Sequence, residues 1–143
     1  MMAAAAHLLE MKSLTLLGST GSIGANTLDV VRHNRNLYRV YALAAGHNVD
    51  AILQQIIEFR PEVAVLATSE GIARLAAGLS DSGLPRPNWP ELAFGAAALI
   101  DAATAPAVDM VISAIVGVAG LEATYEAVRL GKRVGLEIGR AHV

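Results

Sequence analysis

Leu14 to Val31 reads LTLLGSTGSIGANTLDVV. An apolar run, Ser13–Leu17, meets three glycines, Gly18, Gly21 and Gly24, each three residues from the last, and passes into a helix-like run, Ser22–Asn34. A helix that starts there presents unpaired N–H groups and a partial positive charge at its first turn. Glycine lets the backbone turn tightly and lets a phosphate come close, so a pyrophosphate can be held without a basic side chain. Ser19, Thr20 and Ser22 add hydroxyl donors. The spacing is G-x-x-G-x-x-G rather than the commoner G-x-G-x-x-G, and three spaced glycines alone can simply make a turn that lets helix and strand pack. Their position after the first strand and before the first helix of an alternating chain is what points to a dinucleotide.

That alternation continues outward from the loop. Arg39–Ala44 reads as a second strand ending near Gly46. Asn48 is placed to cap a helix running to Arg60, with Val49, Ile52, Leu53, Ile56 and Ile57 on one face and Pro61 as its stop. Glu62–Leu66 is a third strand; Thr68 or Ser69 caps a helix whose face is Ile72, Leu75, Ala76 and Leu79. The segment SDSGLPRPNWP, Ser80 to Pro90, reads as loop. A short strand at Leu92–Phe94, an Ala-rich helix at Ala96–Ala103 and a strand at Val108–Ser113 follow. Leu121, Thr124, Tyr125 and Val128 line one face of a last helix, Gly131 stands at its C-terminal cap, and Lys132–Leu136 begins another strand. The order β-α-β-α predicts an α/β, Rossmann-like, doubly wound and mostly parallel sheet with helices on both faces.

The bulk numbers fit one such domain. The chain has 143 residues, 54% hydrophobic but only 4% aromatic, so its core must be built from Ala, Val, Leu and Ile. A formal charge of −2 with no basic stripe argues against nucleic acid as a partner. No segment is long and apolar enough to suggest a membrane span, and a cytoplasmic protein is the expectation. With no cysteine, disulfides and cysteine-ligated metals are excluded. Residues 1–11, MMAAAAHLLEM, read as leader or added residues, with Met11 a possible native start; 12–136 read as the domain.

The end of the second strand refines the ligand. Dinucleotide folds that prefer NAD place Asp or Glu there to bind the ribose hydroxyls. Here Ala42 to Asp50 reads ALAAGHNVD: alanines stand at the acid's position, and Asp50 already lies in the next helix. No carboxylate repels a 2′-phosphate, while His47 and Asn48 can donate hydrogen bonds, so NADP(H) is expected over NAD(H). The strand ending in SAIVGVAG, Ser113 to Gly120, should lie across the switch point from the first, with its exit loop near the nicotinamide end.

GSTGSIGANTLDVVRHN, then ALAAGHNV, then SAIVGVAGLEATYEAVRLGKRVGL, in this order and spacing, resemble the N-terminal domain of the 1-deoxy-D-xylulose 5-phosphate reductoisomerases over about Lys12 to Leu136. The resemblance implies an NADPH-dependent oxidoreductase of the non-mevalonate isoprenoid pathway. It would rearrange and reduce 1-deoxy-D-xylulose 5-phosphate to 2-C-methyl-D-erythritol 4-phosphate with Mg²⁺ or Mn²⁺, as a homodimer. Carried residue by residue, it places cofactor contacts on Thr20, Gly21, Ser22 and Ile23, and on Gly46, His47 and Asn48. The family more often has Lys or Arg where His47 stands, and a neutral imidazole brings no full charge to a phosphate.

The likeness stops before the chemistry. Where the family continues with Asn-Lys-Glu, this chain reads EIGRAHV, Glu137 to Val143, which reads as a foreign tail. No catalytic residue and no metal ligand is assigned, and Mg²⁺ or Mn²⁺ is expected only in the full-length enzyme. The expectation is an NADPH-binding domain inactive alone and prone to self-association through the open edge of a parallel sheet. Two alternatives use the same loop. One is a non-catalytic Rossmann module that senses a nucleotide or CoA. The other is a short oxidoreductase with a Tyr and Lys four apart on a helix, which Tyr125 followed by Arg129 does not match.

Overall fold

The structure, a computed structural model, describes residues 11–115 and 118–136. Its strands are β1 (Lys12–Leu17), β2 (Tyr38–Ala44), β3 (Val63–Leu66), β4 (Glu91–Phe94), β5 (Met110–Ser113) and β6 (Arg133–Leu136). Its α-helices are α1 (Ser22–Arg32), α2 (Val49–Phe59), α3 (Ser69–Ser82), α4 (Ala96–Thr104) and α5 (Val118–Arg129). All strand pairs are parallel, in the order β4-β3-β2-β1-β5-β6. The chain winds from β1 to one edge at β4, then crosses back to place β5 on the other side of β1. That reversal is the switch point, and the crevice outside the strands' carboxyl ends is where such sheets bind ligands.

Side-chain alternation along the strands builds two cores. Leu14, Leu16 and Leu43 face α1, α2 and α3, where Leu28, Ile52, Ile56 and Leu75 are buried. Leu17, Val65 and Val111 face the other way, against Ala102 and Ala103 of α4 and Ala123 and Ala127 of α5. Each large aliphatic side chain buried this way contributes about 1.5–3 kcal/mol before the entropy of ordering is counted. Polar atoms in the second layer are paired: Thr15 Oγ1 donates to the Ala102 carbonyl at 2.7 Å, and Thr124 Oγ1 lies 3.0 Å from Ser113 Oγ.

The helix ends follow from their cap residues. Asn48 Oδ1 accepts the Ala51 N–H at 3.1 Å and starts α2. Arg60, at φ 50°, ends it in the left-handed conformation immediately before Pro61. Thr68, not Ser69, caps α3, with Oγ1 accepting the Gly71 N–H at 3.1 Å. Gly131, at φ 81°, closes α5 as expected.

Two expectations are corrected. The loop expected from Ser80 starts later, because α3 runs through Ser82 and closes on Gly83 at φ 82°, and Arg86–Asn88 form a 3₁₀ turn. In α5 the expected apolar face is mostly the outer one: Leu121, Tyr125 and Val128 are exposed, and of the four residues only Thr124 is buried. The small side chains are buried instead: Ala123 and Ala127 pack with the alanines of α4, and Thr124 meets Ser113 of β5. The expectations for residues 1–10 and for 137–143 lie outside the described residues.

Candidate functional site

The glycine loop sits between β1 and α1 and is pinned at both ends. The N–H groups of Gly18 and Ser19 both donate to the Ala44 carbonyl at the end of β2, at 2.8 and 2.9 Å. Gly18 has φ 88°, and a Cβ there would stand 3.0 Å from the backbone of Ala114 in the loop after β5. Only glycine allows the two loops to close on each other. Gly24, inside α1, is tighter: a Cβ would lie 2.4 Å from the Gly18 carbonyl oxygen and 2.5 Å from that of Ser19. The first and third glycines therefore set the closeness of loop, helix and neighbouring strand. Gly21 is the N-cap of α1, in extended conformation, exposed, and no side chain caps the helix. The first-turn N–H groups, uncapped by any side chain, are left for an anionic group.

Of the loop's hydroxyls, Thr20 is half-buried and Ser22 exposed, as a ligand-facing role requires. Ser19 is a correction: it is fully buried behind the loop, so its hydroxyl is not offered to a ligand on the outer face. Ile23 is partly exposed beside the same helix start.

The second cluster of expected residues lies next to the first. β2 carries Ala44 and Ala45 into the core, and the next three residues, Gly46, His47 and Asn48, are exposed. The Gly46 carbonyl accepts the Ala67 N–H at 3.1 Å, and the His47 carbonyl accepts the Val49 N–H at 2.9 Å, so the corner is held by its backbone. Asn48 spends Oδ1 on the α2 cap, leaving its amide Nδ2 as donor. No carboxylate stands among residues 44–48. Since both loops hang from Ala44, the structure brings all seven expected residues, Thr20 to Ile23 and Gly46 to Asn48, to one rim of the sheet.

Beside that rim is a feature the sequence reading missed. An open, mostly apolar pocket of about 260 Å³ lies at the carboxyl ends of β2, β3 and β4, lined by Gly46, Leu66, Ala67, Gly95, Leu99 and Ile115 among others. Gly95, at φ 92°, and the small residues just after each strand were its signal in the sequence. Away from the site, Arg32 of α1 donates to Glu58 Oε1 of α2 at 2.8 Å and ties the far ends of the two helices together. Its hydrogen bond holds the Glu58 carboxyl below the ordinary value, though an exposed pair of this kind adds little stability.

The geometry fits a dinucleotide fold, and comparison with known proteins identifies which. Residues 14–137 match the family model for 1-deoxy-D-xylulose 5-phosphate reductoisomerase. The chain belongs to that family. It is 62% identical over 126 residues to the reductoisomerase of Solibacter usitatus, and 44% identical over 127 residues to that of Dechloromonas aromatica. These alignments cover 88% and 89% of this chain but only 32% and 31% of those reductoisomerases, so the chain spans about a third of their length. Among solved structures, the reductoisomerase from Zymomonas mobilis in complex with NADPH superposes with a TM-score of 0.77 at 39% identity, over 88% of this chain and 31% of that one. A reductoisomerase in complex with NADPH, fosmidomycin and magnesium gives a TM-score of 0.77 at 39% identity, over 87% of this chain and 29% of that one.

Two of the groups named in those complexes, NADPH and magnesium, fit the described residues differently. The uncapped start of α1 and the donor-rich corner at Gly46–Asn48 suit a phosphorylated dinucleotide. Among the described residues no three His, Cys, Asp or Glu side chains come together as donors for magnesium, and no step is derived through one.

Proposed function

We propose that this chain is the NADPH-binding part of a 1-deoxy-D-xylulose 5-phosphate reductoisomerase. The whole enzyme would convert 1-deoxy-D-xylulose 5-phosphate to 2-C-methyl-D-erythritol 4-phosphate. A divalent cation, Mg²⁺ or Mn²⁺, would be held by the part of the family that this chain does not span. A cytoplasmic role goes with a water-soluble dinucleotide and sugar phosphate. The observation that carries the reading is the pairing of two anion-ready corners on one rim: the uncapped α1 start, and Gly46–Asn48 with no acid beside them.

In this reading the N–H groups of Gly21, Ser22 and Ile23, with the Thr20 and Ser22 hydroxyls, bind the pyrophosphate. His47 and the Asn48 amide take the 2′-phosphate, and the apolar pocket beside Gly46 takes the adenine ring. The bound dinucleotide supplies a hydride; these residues bind and orient it, and none of them is placed to move a proton on a sugar.

Calorimetric titration of the folded chain tests this. NADPH is expected to bind at least about tenfold more tightly than NADH, from the interactions of one charged phosphate group. With substrate, NADPH and Mn²⁺ the chain alone should give no turnover. Equal affinity for NADH, or a nucleotide such as CoA binding far more tightly, would overturn the reading in favour of a nucleotide-sensing module.

Self-association is part of the same proposal. The edge strand β6 stands beside α5, whose outer face exposes Val118, Leu121, Tyr125 and Val128, with Leu136 exposed at the strand's end. Among the described residues β6 is an edge strand, and such an edge next to an apolar stripe favours pairing with a second copy. Sedimentation equilibrium is expected to show a concentration-dependent dimer that Leu121→Glu together with Tyr125→Glu returns to monomer. A monomer at high concentration, or a dimer unaffected by the double change, would sink it.

A further inference from the structure

Gln55 lies one turn beyond Ile52 on α2, at the border of the helix's buried face. Its side chain reaches out of α2 altogether: Nε2 donates to the Ser19 carbonyl at 2.9 Å, bridging the second helix to the glycine loop. The contact is dry. Ser19 is fully buried, and the remaining oxygens of the two side chains, Ser19 Oγ and Gln55 Oε1, are buried with no hydrogen-bond partner among the described residues. The bond to the Ser19 carbonyl is therefore the hydrogen bond that joins these two side chains' surroundings among the described residues.

The geometry of the peptide unit says what the contact controls. In a trans peptide the C=O of one residue and the N–H of the next point in opposite directions. The Ser19 carbonyl points inward, toward Gln55 and toward Gly24, whose Cβ position is 2.5 Å away. The N–H of Thr20 must therefore point outward, over the uncapped start of α1. A flip of this one peptide would turn a carbonyl oxygen toward the ligand's phosphate. The preceding N–H groups, on Gly18 and Ser19, are already held by Ala44, so the Ser19–Thr20 peptide is the first unit in the loop without a backbone tether.

We infer that Gln55 is a positioning residue for the pyrophosphate: it locks the Ser19 carbonyl inward and so presents the Thr20 N–H to the dinucleotide. Because Gln55 rides on α2, the helix capped by Asn48, it also fixes the distance between the two phosphate-binding corners. The inference rests on the dinucleotide reading above.

The test compares wild type, Gln55→Met and Gln55→Glu for binding of NADPH and of adenosine 2′-monophosphate, which carries the 2′-phosphate but no pyrophosphate. Loss of the tether in Gln55→Met is expected to weaken NADPH about tenfold while adenosine 2′-monophosphate changes by less than about twofold. Gln55→Glu, which sets a carboxylate against a carbonyl, should be worse for NADPH only. On the wild-type chain, NMR titration with NADPH should shift the Thr20 amide strongly and the Ser19 amide little, a readout that needs no variant. Equal weakening of both ligands, no change in either, or a Thr20 amide that does not respond to bound NADPH would overturn the role of Gln55. Failure of the wild type to bind NADPH at all would instead overturn the dinucleotide reading beneath it.

Discussion

Gly24→Ala is expected to destabilise the chain by about 3 kcal/mol or more and to abolish NADPH binding. Helix propensity alone predicts the opposite sign, since alanine is better than glycine inside a helix by about 1 kcal/mol. Packing decides. The added methyl would meet the Gly18 oxygen at 2.4 Å, the Ser19 oxygen at 2.5 Å and the Ser19 carbonyl carbon at 2.6 Å. All three are backbone atoms of the loop that is tethered to Ala44 and to Gln55, so none can rotate away as a side chain would. Relief requires α1 to lift off the loop, which also separates its first-turn N–H groups from the Thr20 peptide. Gly78→Ala in α3 is the matched control. There the nearest atom, at 2.9 Å, is the Cδ2 end of Leu53, which can turn aside, and the cost should stay below about 1 kcal/mol. Urea unfolding followed by circular dichroism measures both. A Gly24→Ala chain as stable as wild type would mean that the loop is not the rigid cradle described.

How much of this was legible beforehand depends on which signal each element carries. β1, the glycine loop and the start of α1 were read correctly because glycine spacing and an apolar run leave one chain path. The α2 stripe was readable because Ile52 and Ile56 are large, and large buried residues fix a helix face. α5 failed for the converse reason. Its inner side is Ala123, Thr124 and Ala127, chosen for closeness to α4, while its bulky residues point away from the sheet. A rule that places the larger apolar side chains inside must pick the wrong side where two helices meet through alanines. Gly46, His47 and Asn48 stood out because they come just after a strand, where the backbone must leave the sheet, and the structure leaves all three exposed at that corner. Ser19 looked like a ligand donor because sequence gives a hydroxyl no direction. Gln55 was invisible: a polar residue at the edge of an apolar stripe reads as solvated, and its partner lies 36 residues away.

Gly46→Asp should reverse the choice of dinucleotide, lowering NADPH affinity about a hundredfold while leaving NADH unchanged or improved. The position accepts the side chain: Gly46 is exposed, its backbone is not in the left-handed region, and nothing lies within 4 Å of the Cβ it would gain. Its carbonyl stays bonded to Ala67, so the corner keeps its shape. The new carboxylate would stand two residues beyond β2, next to the position where folds that prefer NAD place an acid to bind the ribose hydroxyls. Against NADPH it faces a 2′-phosphate bearing about two negative charges. At about 5 Å and an effective dielectric of about 40, that repulsion is about 3 kcal/mol, or about a hundredfold in affinity. The penalty is electrostatic, so raising the salt should recover part of the lost NADPH affinity and change NADH binding little. A purely steric effect would weaken both dinucleotides equally at any salt. Undiminished NADPH binding by Gly46→Asp would show that the 2′-phosphate is held elsewhere, and the assignment of Gly46, His47 and Asn48 would fall with it.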